Sequence, residues 1–332
     1  MPLRILALLI CTFPCVAAEI VGSIDFFGTT GMDVAAIEKA LPVHIGDAMT
    51  AKTRDQIRTA VQKSIGQAPT AVNFVCCDEQ HHQQIYIGLP GNNFHALAYN
   101  PAPTGTDRLA PAIIRLDRNV DRALETAVRK GGDAASEDDS QGFAIFNDPA
   151  AKEAVMAVRN WALDREPEIV KVLESSSDAE QRRVAATALG YVRQSPSQVV
   201  ALVRAARDPD NEVRNNATRA IGVLLRSNLV APGGFPPDTF LAMLNSGSWE
   251  DRNKSASAMV GLTAGSDPGL LGKLRAECLD SIVEMARWHN IGHAYFARMI
   301  LARMAGVPDS DLLPSLENPP TDAVIAAVKS RK

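Results

Sequence analysis

Aromatic residues are scarce in this chain: 3 Trp, 4 Tyr and 10 Phe among 332 residues, 5% in all. An interior short of large rings and rich in Ala suits closely stacked helices. No block of Lys and Arg occurs in the body of the chain, and the formal net charge is -4. That argues against nucleic acid, whose binding needs clustered cations to displace counterions. Past the first residues no apolar run reaches the ~18 residues of a spanning helix. Cysteine is limited to five residues and no CxxC pair occurs. A Ser-nucleophile elbow, a Walker loop and an HExxH motif are also missing. These absences leave no residue set that converges for catalysis, so no catalytic, cofactor-binding or metal-ligating residues are expected.

Residues 1–18 are expected to be a signal peptide. Arg4 supplies the positive charge, Ile5 to Val16 a short apolar run, and Val16-Ala17-Ala18 the small residues before Glu19, with cleavage near Ala18. Thr12-Phe13-Pro14 before Cys15 lacks the Leu and the small residue of a lipobox, which argues against lipidation. The remainder carries 33 basic and 38 acidic residues. Its expected location is periplasmic or secreted. It keeps Cys76, Cys77 and Cys278, an odd number for an exported chain. Cys76 and Cys77 are adjacent on an expected strand, where side chains alternate between faces, so a bridge between them is geometrically poor. Small buried hydrophobes is the preferred reading of these thiols.

Residues 19–90 read as an α+β module. Ile20 to Phe27 alternates as a strand, Gly28-Thr-Thr-Gly31 is a turn, and Asp33 caps a helix carrying Val34, Ile37 and Leu41. A second helix from about Thr53 bears Ile57, Val61 and Ile65 and stops at Gly66. Strands Ala71 to Cys77 and Gln84 to Leu89 flank a turn at Asp78 to His81. The order β-α-α-β-β, with Ile24-Asp-Phe-Phe-Gly28 and Leu41-Pro-Val-His-Ile-Gly46, resembles the POTRA domain over residues 20–89. The Gly-Tyr expected before the third element is replaced by Cys76-Cys77-Asp78. The resemblance implies recognition of extended segments by strand addition at a sheet edge.

Residues 91–145 read as a connector with one helix, Pro111 to Arg129, and an acidic stretch from Asp133 to Gly142. Glu137-Asp138-Asp139 lacks the spacing of a calcium loop and reads as a solvated loop. From 146 to 317 the chain reads as paired helices, with 318–332 a tail or capping helix. The pairs are Pro167–Ser175 with Asp178–Arg193, Pro196–Arg207 with Asp210–Arg226, Pro236–Asn245 with Ser248–Thr263, and Pro268–Trp288 with Gly292–Ala305. The second helices superpose at offsets of 32, 39 and 41 residues, the mark of a solenoid. Asp208-Pro-Asp-Asn-Glu-Val-Arg214 and the following Ala217, Ala220, Ile221 and Gly222 resemble the HEAT repeat. The unit containing Arg182 matches well. The later units, with Asn253 and Ala294 at the Arg position, match less. The resemblance implies structural roles for Asp210 and Arg214.

The second helices also carry Arg183, Asn215, Arg219, Trp249 and Arg252, which would meet a protein or peptide partner if that row lines the groove of the array. Two metal pairings were weighed, His289 with His293 and Cys77 with His82. The Asn216-Ala-Thr218 and Asn253-Lys-Ser255 sequons fall within helices and carry little weight. The favoured expectation is an exported, non-enzymatic scaffold or adaptor. The alternatives are a bilin-lyase-like or cofactor-maturation factor using a thiol such as Cys278, and a periplasmic metal-binding protein using Cys77 and His82.

Overall fold

In a computed structural model, residues 19–78, 80–130, 137–230, 232–312 and 321–330 are described. The expected signal peptide, and 131–136 of the acidic stretch, lie outside the described residues. The N-terminal module begins with β1 (Glu19–Phe27), α1 (Val34–Lys39), β2 (Ala48–Met49) and α2 (Ala51–Ile65), and ends with β3 (Ala71–Cys76) and β4 (Gln83–Gly88). Asp33 accepts the Ala36 N–H as the N-cap of α1, and Gly66 closes α2 in the left-handed region. The sheet order is β2-β1-β4-β3, with β1 and β4 parallel and β3 antiparallel to β4. The two-residue β2 is the one strand that the alternation pattern did not indicate. Ile24, Ile85, Ile87 and Leu89 pack with Ile37, Ile57 and Val61 into a core of the module's own.

Cys76 and Cys77 are bonded to each other, contrary to the expectation of two separate thiols. Alternation across a strand presumes a trans peptide, and this one is cis. The Cα atoms lie 3.1 Å apart. Cys76 is exposed and Cys77 half-buried, so neither is a core hydrophobe.

Among the described residues the second half is helical apart from one small hairpin. After α3 (Pro111–Arg129), a small hairpin of β5 (Glu137–Asp138) and β6 (Ile145–Phe146) leads into α4 (Pro149–Ala162). The pairs α5 (Glu166–Ser175) with α6 (Ala179–Leu189), α7 (Pro196–Ala205) with α8 (Asn211–Arg226) and α9 (Pro237–Leu244) with α10 (Trp249–Leu262) follow. A Pro in the first turn of α5, α7 and α9, and Asp178, Asp210 and Ser248 as N-caps of α6, α8 and α10, set these boundaries. The fourth unit departs from expectation. Residues 268–288 form two helices, α11 (Pro268–Glu277) and α12 (Leu279–Ala286), broken at Cys278. The Asn245 side chain takes the Glu277 carbonyl there at 2.8 Å. Then come α13 (Ile291–Met304), the short α14 (Asp309–Leu312) and α15 (Thr321–Ser330), whose Ile325 and Val328 are buried as a capping helix requires. Small residues let the second helices close up: a Cβ on Gly261 would sit 2.5 Å from Leu225 Cβ.

Buried ion pairs tie successive units together. Arg182 grips Asp208 through Nε and Nη2, both at 2.9 Å, and Arg214 grips Asp251 at 2.9 and 3.0 Å. Both arginines also donate to a carbonyl of the turn before their own helix, Ser176 and Asp208. Asp210 caps α8 by accepting from Glu212 and Val213. The small-residue pattern points to Asn253 as the Arg position of the third unit, but counted from the N-cap Ser248 that position is Arg252, which is fully buried and holds Glu284 at 3.0 Å.

Residues 95–109 form an extended strap. It runs back along the array and bonds to each inter-helix turn in passing, His95 to Asn245, Asn100 to Arg207 and Gly105 to Ser175 and Ser177. Leu109 then donates to Gln181. The stretch read as a loose connector is thus stitched to three units.

The N-terminal sheet closes the other end. Tyr86 and Phe27, on the face of the sheet away from α1 and α2, belong to the core of the helical array. Tyr86 packs on Trp249 and Trp288, each with ring centroids 5.1 Å away, and its hydroxyl lies 2.6 Å from His293 Nδ1. Gly28 N–H, Thr29 N–H and the Thr29 hydroxyl all donate to the Glu284 carboxylate, at 2.8, 2.7 and 2.6 Å. Gly28 has φ +70°, and a Cβ there would fall 2.1 Å from the Leu89 carbonyl oxygen, so only glycine makes this approach.

Candidate partner-binding cleft

A half-open cleft of about 740 Å³ lies between the second-helix row and the segment that crosses it. One wall is α6 and α8; the other is α3 with the β5–β6 hairpin. Val120, Leu124, Phe146, Val155 and Val223 give it an apolar floor. Three of the five residues expected to meet a partner, Arg183, Asn215 and Arg219, line it. The other two do not. Trp249 is 9% exposed and stacked on Tyr86, and Arg252 is 0% exposed on the ladder. Both face the chain's own N-terminal module, which occupies that end of the row. Arg252 occupies the ladder position, four residues past its N-cap, which turns it inward as it does Arg182 and Arg214.

Ion pairs fix the rims of the cleft. Arg183 bridges Asp117 of α3 at 2.7 Å and Glu180 at 2.8 Å. The Glu180 hydrogen bond holds its guanidinium above the ordinary value. Burial raises the pKa of Asp117 despite that partner. Arg219 pairs with Glu137, and Arg226 with Asp139 at 2.6 Å. These acids of the hairpin are therefore bound to α8 rather than solvated, a correction to the loop reading: two guanidiniums of α8 face them. Burial, which favours the neutral form, is outweighed at Arg219 by the Glu137 carboxylate, and its pKa rises.

Asn215 bonds only its neighbour Asn216, at 2.9 Å, and so keeps an adaptable amide in the cleft. The carboxylates of Asp121 and Glu212 line the cleft with no hydrogen bond or ion pair among the described residues. Burial and then the Glu250 and Asp210 charges push the Glu212 carboxyl up. Beyond Arg219, Lys254 of α10 is half-buried, and burial followed by the Arg219 charge lowers its pKa to about 8. Sequence reading missed Glu137, Glu212 and Lys254. Glu212 and Lys254 stand at helical spacing with the rows already picked out, which was the available signal.

The alternative chemical sites are differently placed. Cys278 is 1% exposed, its thiol 3.4 Å from the Leu241 carbonyl, and burial pushes its pKa up to about 12. Cys77 is tied to Cys76 and His82 Nδ1 lies 3.1 Å from Asp78, so thiolate and imidazole do not form a pair. His289 precedes α13 and pairs with Asp25 at 2.9 Å, while His293 faces Tyr86. Among the described residues no three His, Cys, Asp or Glu side chains are grouped to hold a metal ion.

The geometry defines a helical solenoid, and comparison with protein families places HEAT repeats at residues 166–233. That span covers α5 to α8, the two units with the most regular ladder. HEAT repeats generally mediate protein interactions. No curated protein was found to match the chain. Among the described residues no helix is long and apolar enough to cross a membrane.

Proposed function

We propose that the protein is an exported, non-enzymatic scaffold or adaptor that holds a segment of a partner polypeptide in the cleft between α3, the hairpin, α6 and α8. The cleft itself carries this reading: it has an apolar floor, charged rims locked by ion pairs, and an uncommitted amide at Asn215. Such a lining suits side chains of a peptide, with rigid rims that cost little ordering on binding. The β-α-α-β-β order and mixed sheet support a POTRA-like reading of the N-terminal module. The leader-like residues 1–18 support a periplasmic or secreted location. A bilin-lyase-like or maturation role for Cys278 has less support, because a buried thiol of raised pKa is a poor nucleophile. A metal-binding role for Cys77 and His82 has less support for the reason given above.

A photo-crosslinking residue at Glu212, which also lines the cleft, tests the proposal in the envelope fraction of the source cells. The expected product is one discrete protein adduct, lost when Asn215→Trp fills the cleft. A stoichiometric metal or chromophore in the purified protein, or an adduct unchanged by Asn215→Trp, would sink it.

A further inference from the structure

The outer face of α3 is distinct from the cleft that its inner face walls. Ile113, Asp117, Val120 and Ala127 of α3 are buried against the array. Arg115, Arg118 and Arg122 stand on the opposite side, all exposed. Among other exposed arginines, Arg129, Arg193, Arg204 and Arg287 have a carboxylate within 4.0 Å, and Arg58, Arg165 and Arg207 donate to carbonyls. Arg115 and Arg118 have no hydrogen bond or ion pair among the described residues, and the Arg122 side chain bonds only Asn119 and the Arg118 carbonyl. The three follow a spacing of three and four residues, so they form one stripe about 10 Å long at ~1.5 Å per residue.

Two hollows of about 750 and 460 Å³ flank the stripe and share Arg115 and Arg118. Apolar side chains make most of their surface, Ala112 and Leu116 in one and Leu109, Pro111 and Ile114 in the other, while Asp121 places one carboxylate in the first. A chain of net charge -4 therefore sets three arginines against the single carboxylate of Asp121 at one place, over apolar depressions. We propose that this face docks an acidic polypeptide segment, whose carboxylates pair with Arg115, Arg118 and Arg122 while its apolar side chains fill the hollows. Guanidinium groups suit carboxylates because two parallel N–H groups match two oxygens. The hollows favour a segment with side chains over a flat lipid surface. The stripe also has no Trp, Tyr or Phe of the kind that anchors proteins at a bilayer. The surface is independent of the cleft, and Asn215 is not part of it.

Fluorescence anisotropy of the full chain tests this with a labelled peptide of repeated Glu-Glu-Leu and its Gln-for-Glu counterpart. The acidic peptide should bind, weaken with added salt, and bind about tenfold or more tighter than its counterpart. Arg115→Glu with Arg118→Glu and Arg122→Glu should abolish binding with an unchanged melting temperature, since the side chains are exposed; the triple Gln variant repeats the test without charge reversal. Absence of binding, or equal binding by the variants, overturns the proposal. So does binding to phosphatidylglycerol vesicles without binding to the peptide, or a dimer in sedimentation that the variants dissociate.

Discussion

The surroundings of His293 oppose its charged form. Burial, and then the nearby Lys254 charge, lower its pKa to about 4, and its Nδ1 meets the Tyr86 hydroxyl. Between pH ~6.5 and ~4 the unfolded chain binds a proton here that the folded chain refuses, so stability falls as pH drops through that window and levels off below it. The loss is on the order of 2–3 kcal/mol. His289 works the other way. Its hydrogen bond to Asp25 raises its pKa, so its contribution is full below ~6.5 and fades as pH rises through the raised value. Urea unfolding should show a shallower fall between pH ~6.5 and ~4 for His293→Gln than for the parent, whereas His289→Gln should differ in slope only above pH ~6.5, where it loses the decline that accompanies rising pH. An unaltered slope in His293→Gln would remove His293 from the account.

At the scale of elements, the ladder explains why the units differ in legibility. Arg182 and Arg214 stand in register, and their partners Asp208 and Asp251 lie in the turn before α8 and in the first turn of α10, so the first two units could be read from the sequence. The third rung, Arg252, keeps that register from its cap Ser248, but the small-residue pattern of α10 runs one residue later and pointed to Asn253; its acceptor Glu284 sits inside a helix that the pattern had merged with its neighbour. Capping signals at Asp33, Asp178, Asp210 and Ser248 and the stop at Gly66 were local, hence visible. The cleft was half visible: Arg183, Asn215 and Arg219 share a helix row, but the wall opposite them comes from α3 and the hairpin, which no periodicity relates to that row. Arg214→Ala would leave Asp251 charged, buried and without its guanidinium. The expected cost is about 3–5 kcal/mol by chemical denaturation. Pairing Arg214→Met with Asp251→Leu should recover much of it, and equal loss in the double variant would show that the rung matters for packing alone.

At the scale of the molecule, the first strand and the last unit share one joint. Glu284 receives three donors from Gly28 and Thr29 and also accepts from Arg252, so it serves the ladder and the sheet together. Glu284→Gln keeps the shape but withdraws the charge that these donors share. Hydrogen exchange at β1 and β4 should accelerate while α6 and α8 keep their protection. Uniform acceleration along the chain would instead make the joint part of a single cooperative unit.

The joint also dictates an order of assembly. Its two sides are 256 residues apart in sequence, so the strand made first waits for the helix made near the end. Until then the Tyr86 and Phe27 face has no cover, and the strap from His95 to Leu109 lacks the turns that receive it. A chain of such high contact separation folds slowly and exposes apolar surface in the interval. Its emergence into the folding compartment is therefore the step at which a chaperone would matter most.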